Sequence, residues 1–373
     1  MRRADASPAN PITGNTFLRN ETDLLRPFLE IDLTDRRALV AAVSGGSDST
    51  ALLLLTKTWL ETAFPTVKLI AVTVDHRLRP ESACEAQQVA ELCERHGIAH
   101  RIVRWDGEKP VSGLSAAARA ARYQLLSREA DAAGADIILT GHTLDDQLET
   151  VSMRQARGEG RGLAGMAPAA LFNGRIWIVR PLLTLEREAL RGFLRGEGVA
   201  WVDDPTNADT KYERARLRAS ASQAIKADSA GLMARIVEAQ RRRIALGAEA
   251  AAILAGQATC VAPGLIRLAP DFATALPAEA AVYALRALLG VTGGRAHLPD
   301  EGRSASLLER LRSLPTRATL SRSVVDMRRQ GIVLRRELRG LPGPQPAVDG
   351  MLWDGRLRVR STGIQDGLTI APF

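Results

Sequence analysis

Three short stretches place chemistry-bearing side chains next to strand-like runs. The first is Ser44-Gly45-Gly46-Ser47-Asp48-Ser49. Its glycines let the backbone turn tightly and approach a ligand closely. A helix starting here aims its first N–H groups at an anion. Ser44, Ser47 and Ser49 add hydroxyl donors, and Asp48 can organise the loop or a metal. The G-x-x-x-x-G-K-S/T pattern is missing, so this is not a Walker A loop. The plain alternative is a tight turn with Asp48 as a helix N-terminal residue.

The second stretch is Asp75-His76-Arg77-Leu78-Arg79, and the third is Gly141-His142-Thr143-Leu144-Asp145-Asp146-Gln147-Leu148-Glu149-Thr150. On a helix, Asp145, Asp146 and Glu149 lie within one turn, and Asp145 and Glu149 share a face. Like charges so placed repel unless a cation compensates, and Mg2+ or a substrate ammonium would serve. A solvated acidic face is the alternative for the carboxylates, and a helix cap for His142. Further on come the glycine-rich run from Arg161 to Met166, Arg180 before Pro181, and Arg214, Arg216 and Arg218. Arginines in such a basic chain are natural phosphate contacts. A flexible loop and a solvated helix face are the alternatives.

The elements that position these residues follow from the hydrophobic pattern. Leu39-Val40-Ala41-Ala42-Val43 is a continuous apolar run ending at the first glycine loop, as a buried parallel strand would. Further strands are expected at 67–74, 98–104, 137–140 and 176–179, with helices at 49–62, 81–96, 114–133 and just after His142. This alternation predicts an α/β fold with a parallel sheet covered on both faces. Ligands in such folds bind beyond the carboxyl ends of the strands. Past about residue 210 the pattern changes to long basic helices over 212–246, more helix at 278–289 and 304–314, and strand-like runs at 319–337. Leu341-Pro342-Gly343-Pro344-Gln345-Pro346 reads as a linker, and 352–360 alternates like an edge strand.

The chain has 373 residues, enough for two or three domains. Apolar residues make up 46% and charged residues 25%, the balance of a globular protein, and the net charge of +8 favours an anionic partner. Cys84, Cys93 and Cys260 form no C-x-x-C pair, which argues against a disulfide framework or a four-thiolate zinc site. With no apolar stretch of membrane-spanning length and no signal-peptide pattern, a cytoplasmic protein with no membrane partner is expected.

The loop from Ser44 to Ser49 resembles the PP-loop signature S-G-G-x-D-S of the N-type ATP pyrophosphatases. Together with Asp75-His76, the run Gly141 to Thr150, Arg180-Pro181-Leu182-Leu183 and Trp201-Val202-Asp203-Asp204-Pro205, the chain resembles the tRNA(Ile)-lysidine synthetase family. The resemblance is strong over 37–220 and weaker to Arg339. It implies an N-terminal extension with a helix at 1–36, a PP-loop catalytic domain at 37–220, a mainly helical tRNA-contacting domain at 221–340, and a linker with an abbreviated β-containing segment at 341–373. It also implies ATP and Mg2+ as cofactors, and free L-lysine and an isoleucine tRNA with a CAU anticodon as substrates. Homodimers are compatible with the family.

The implied reaction has two steps. O2 of the wobble cytidine attacks the ATP α-phosphate and releases pyrophosphate, and the lysine ε-amine then displaces AMP. Ser44 to Ser49 would hold the phosphates. Asp48, Asp145, Asp146, Glu149 and His142 are the catalytic candidates, with Asp48 and Asp145 as metal ligands. Asp75, His76, Arg79, Arg161, Arg180, Arg214, Arg216 and Arg218 would contact substrate or tRNA. One departure from the family pattern is Ala215 after Arg214, where Arg-Asn is usual. The competing classes are another PP-loop enzyme, such as a tRNA thiolase, and a non-catalytic tRNA-binding protein.

Overall fold

The computed structural model describes residues 24–79, 81–156, 161–202, 229–313, 315–360 and 367–372. The chain forms two compact units that divide between Gln240 and Arg241. The expected boundary near residue 220, and with it Arg214, Arg216 and Arg218, lies outside the described residues.

The first unit is built on a six-stranded sheet ordered β3-β2-β1-β4-β6-β5. Its strands are β1 (Ala38–Ala42), β2 (Lys68–Asp75), β3 (Ala99–Arg104), β4 (Ile137–Thr140), β5 (Ala169–Phe172) and β6 (Ile176–Val179). All pairs are parallel except β5 with β6. The antiparallel β5 was not expected: Ala169-Ala170-Leu171-Phe172 is short and only half-buried. It is joined to β6 by a turn with Asn173 and Gly174 at positive φ.

Side chains alternate across a strand, and β1 shows what each face buries. Val40 and Ala42 meet Tyr123, Leu126 and Ala130 of helix α3 (Leu114–Ala132). Leu39 meets Leu52, Leu55 and Trp59 of α1 (Ser47–Ala63) and Leu190 and Leu194 of α5 (Arg187–Gly196). Ala41 and Val43 meet Val89, Leu92 and Cys93 of α2 (Ser82–Arg95). A strand covered on both faces has no polar side to show, hence its continuous apolar sequence. Within the stretch expected as an N-terminal extension, Arg26–Glu30 forms a 3-10 turn. Phe28 is fully buried there, with its ring 5.5 Å from that of Trp59. Truncation of Phe28 to alanine would cost about 3–5 kcal/mol.

The chain runs from β1 out to β3, then returns to place β4 on the other side of β1. The point where the order reverses leaves a crevice beyond the carboxyl ends of β1 and β4. Helix α4 (Leu144–Ala156) starts there and buries Leu144, Leu148 and Val151 against Leu232 and Ile236 of the long helix α6 (Ser229–Gln257).

The second unit has more helix than strand, yet its strands form a coherent sheet. Strands β7 (Ala258–Ala262), β8 (Leu265–Leu268), β9 (Thr316–Leu320), β10 (Ser323–Arg328) and β11 (Gly331–Arg336) make an antiparallel sheet ordered β7-β8-β11-β10-β9. Helices α7 (Ala278–Gly293) and α8 (Glu301–Arg310) share its core through Ala284, Leu285, Leu289, Leu307 and Leu308. The β9–β10 turn puts Ser321 and Arg322 at φ 52° and 64°, the primed geometry that suits a two-residue hairpin. Beyond Arg336, Leu352–Trp353 pairs with Leu357–Arg358 as a small hairpin, where one edge strand was expected.

Candidate active site at the carboxyl ends of the parallel strands

The loop after β1 runs straight into α1, whose N-cap is Gly46 without any side-chain cap. The N–H groups of the first helical turn have no intrahelical acceptor, so this end is ready for an anion. Gly45 sits at φ +89°, a conformation L side chains rarely adopt, and a Cβ there would lie 3.2 Å from Val89 Cγ2. Serine hydroxyls brace the loop. Ser49 Oγ accepts from Ser44 N at 3.1 Å and donates to Gly46 O at 3.1 Å, while Ser47 Oγ donates to Asp48 Oδ1 at 3.0 Å. Ser44 is exposed, with its Oγ 3.1 Å from Ser49 Oγ.

The motif after β4 packs onto this loop. A Cβ on Gly141 would lie 3.0 Å from the Asp48 carbonyl and from Ser49 N, so any side chain there would push that backbone back by a few tenths of an ångström. Thr143 and Asp146 then form a capping box: Asp146 Oδ2 accepts from Thr143 N at 3.0 Å and from Thr143 Oγ1 at 3.2 Å. Gln147 Nε2 donates to Met166 O at 3.0 Å, and its Oε1 accepts from Met166 N at 2.6 Å, fixing the 3-10 turn Arg161–Ala164 beside α4. The Arg161 side chain lies outside the described residues.

The cation among the carboxylates is Arg187, which the sequence reading did not single out. Arg187 Nε donates to Asp48 Oδ2 at 2.9 Å, and Nη2 donates to Asp146 Oδ1 at 3.2 Å. Nη1 lies 4.0 Å from Glu149 Oε1. Its backbone N–H donates to Asp145 Oδ2 at 2.8 Å. Burial disfavours the charged guanidinium, but the Asp48 and Asp146 carboxylates outweigh it and raise the pKa of Arg187 above its ordinary value. The Asp145 carboxylate, expected as a metal ligand, caps the N-terminus of α5 through its Oδ2. Among the described residues, no three His, Cys, Asp or Glu side chains are arranged to hold a metal. Arg187 stands at an unusual place for a cation. It is the first residue of α5, and a helix dipole disfavours a cation at that end.

His142 lies beside a cationic group. Its Nδ1 is 3.0 Å from Thr140 Oγ1. Burial, then the charge of Arg180, push its pKa down from 6.5 to about 3, so the imidazole is neutral at physiological pH. That makes it a weak base and removes it as a cationic acid. Arg180 is buried, with Nη1 donating to Ala167 O at 2.8 Å. Burial lowers its pKa, and so does Arg119, while Tyr123 opposes the shift. Arg119 and Arg122 were also missed. They stand three apart on α3 next to Tyr123, inside a stretch that reads as a plain alanine-rich helix.

The second motif is held mostly by its own loop. Asp75 Oδ1 accepts from Arg77 N at 2.9 Å and Ser82 Oγ at 2.8 Å. Burial works against its ionisation, but these bonds and the charges of Arg77 and Arg104 keep its pKa below the usual value. Arg79 pairs with Glu85 at 3.0 Å. The His76 ring meets Trp105 edge-on at 5.9 Å, and its pKa is lowered by burial first and by Arg122 next.

A strand–glycine loop–helix unit at the switch point, with its anion-ready helix end facing a carboxylate helix, defines a nucleotide-binding enzyme of the PP-loop class. Residues 16–225 match the family described as PP-loop domain. The chain is 52% identical over 368 residues to the tRNA(Ile)-lysidine synthase of Mesorhizobium japonicum, covering 96% of this chain and 80% of that protein. It is 43% identical over 359 residues to the tRNA(Ile)-lysidine synthase of Rhizobium meliloti, covering 91% and 77% respectively. It belongs to the tRNA(Ile)-lysidine synthase family. Among solved structures, the U34-tRNA thiolase NcsA from Methanococcus maripaludis is similar in fold, with a TM-score of 0.50 at 19% identity over 59% of this chain and 76% of that one.

Proposed function

We propose that the protein is an ATP-dependent ligase that forms lysidine on an isoleucine tRNA with a CAU anticodon. The observation that carries this reading is the contact of Gly141 with the Asp48–Ser49 backbone, because it puts a phosphate loop and a carboxylate helix into one site. The N–H groups at the start of α1 receive the pyrophosphate portion of ATP. Fixed donors of this kind stabilise the charge that grows on a leaving group. Asp146 and Glu149 stand beside Arg187 within one turn of α4, and a pair of carboxylates there suits the ε-ammonium of lysine. Before attack the ammonium must lose a proton, and a carboxylate at hydrogen-bond distance can accept it. The neutral His142 and the guanidinium groups of Arg180 and Arg122 suit a polar base and an anionic group of the substrates.

Mg2+ accompanies the nucleotide in this reading. Such ions bind through one or two carboxylates plus substrate phosphates, and Asp48, in the loop itself, fits that donor set. The ion would neutralise charge on the pyrophosphate. The arginines Arg214, Arg216, Arg218 and Arg241-Arg242-Arg243 contribute phosphate contacts to the tRNA, so binding should weaken steeply as salt rises. The protein works in the cytoplasm in this reading, where its tRNA substrate and ATP are found. No helix among the described residues is long and apolar enough to cross a membrane. The boundaries 37–220 and 221–340 correspond, in this reading, to catalysis and tRNA contact.

The test is incorporation of labelled lysine into unmodified tRNA(Ile) with a CAU anticodon, with ATP and Mg2+, beside an Asp48→Ala control. ATP-dependent label that the control lacks is expected. Pyrophosphate release on adding tRNA, without label, would point to a different second substrate.

A further inference from the structure

Arg187 stands where two parts of the site must keep a fixed distance. Asp48 belongs to the nucleotide loop, and Asp146 and Glu149 belong to α4. Their partners on Arg187 are 139 and 41 residues away in sequence. One planar guanidinium spans them: Nε faces Asp48, Nη2 faces Asp146 and Nη1 faces Glu149. The Arg187 backbone adds a fourth tie, to Asp145. Only a rigid fork can address several carboxylates in a fixed relation, and a lysine ammonium is a single point charge. The location is otherwise unfavourable for a cation, at the N-terminus of a helix and largely out of water. A purely structural ion pair has no need of that position or of the catalytic carboxylates as its partners.

We propose that Arg187 is a positioning residue that registers the nucleotide loop against the amine-binding carboxylates, so that adenylation and lysine attack share one geometry. The inference rests on the assignment of Asp146 and Glu149 to the lysine ammonium. Arg187 acts through those carboxylates and touches no reacting atom. Loss of the fork would let Asp146 and Glu149 shift relative to Asp48. The second step, which needs the amine aimed at C2, would suffer more than the first. A misplacement of about 1 Å can lower a rate about a hundredfold.

The experiment measures two quantities on the full-length protein: tRNA-dependent pyrophosphate release without lysine, and transfer of labelled lysine. For Arg187→Ala, lysine transfer should fall about a hundredfold in kcat/KM and pyrophosphate release by only about tenfold or less. Guanidinium chloride at non-denaturing concentration should restore part of the transfer. Arg187→Lys keeps the charge without the fork, and it should release pyrophosphate within a few-fold of wild type while its KM for lysine rises about tenfold. Equal losses in both steps without guanidinium rescue would overturn the proposal in favour of a merely structural ion pair. So would lysine kinetics of Arg187→Lys that match wild type, a result that holds even if the alanine variant fails to fold. The wild-type control keeps the readings apart: if it transfers no lysine, the amine assignment fails, and the proposal with it.

Discussion

Each unit buries an arginine–aspartate cluster, and the two have opposite stoichiometry. In the first unit one guanidinium, Arg187, is shared by Asp48, Asp146 and Glu149, while Asp145 takes the backbone N–H of the same residue. In the second unit one carboxylate, Asp354, is shared by Arg322, Arg336 and Arg356 at 2.8 to 2.9 Å. The surplus donors of the second cluster go to the chain itself. Arg336 Nη2 donates to Gly340 O at 3.1 Å, Arg322 Nη2 donates to the same oxygen at 2.9 Å, and Arg336 Nη1 reaches the carbonyls of Arg322, Glu337 and Arg339. That cluster is closed on backbone, as a structural staple should be. The first is built from acceptors at the mouth of a crevice, beside an uncapped helix end. A charged cluster thus serves as scaffold when its surplus is met by main chain, and as a site when it faces a place for ligands.

The largest effect should come from breaking the staple. Asp354→Asn leaves three buried or half-buried guanidiniums without their shared charge and should destabilise the second unit by about 3–5 kcal/mol, measured by urea unfolding. If stability held while catalysis fell, the contrast between the clusters would be inverted. Next, Asp48→Ala should lower ATP-dependent pyrophosphate release about a hundredfold to a thousandfold with little change in melting temperature. A smaller effect is expected for Gly141→Ala, because its Cβ would press on the Asp48–Ser49 backbone. Overpacking of this kind costs about 1–3 kcal/mol, and the loss should show in KM for ATP.

The mildest test is pH. His142 has a folded-state pKa of about 3 against an ordinary 6.5, so the unfolded chain binds the extra proton. Its contribution to stability is complete above about pH 6.5 and is lost as pH falls toward 3, by about 1.4 kcal/mol per unit. Thermal melts of wild type and His142→Asn should converge in slope once this proton is removed. Identical pH slopes for the two proteins over that range would refute the burial argument.

The parallel strands were legible because both their faces are covered, which leaves an unbroken apolar run in Leu39 to Val43 and Ile137 to Leu139. The loop Ser44 to Ser49 was legible because tight turns demand glycine. Other parts were hidden for physical reasons. Strand β5 is half-exposed and carries no β-branched residue. Strands β7 and β8 are short and mostly exposed or half-buried, so neither shows a clean alternation. Arg187 was hidden because its partners lie far off in sequence, and local patterns report only local partners. The acidic group on α4 announced that a cation was needed. It did not announce that the chain supplies one itself.

Asp145 caps a helix to which it does not belong. Helix α5 has ten residues and no side-chain cap of its own, and its first N–H is met by a carboxylate 42 positions earlier. Isolated helices shorter than about 12–15 residues are marginal in water. Helix α5 therefore depends on α4 for its start, and α4 leaves the ribosome first. During synthesis the residue that caps α5 is thus made before the helix that needs it.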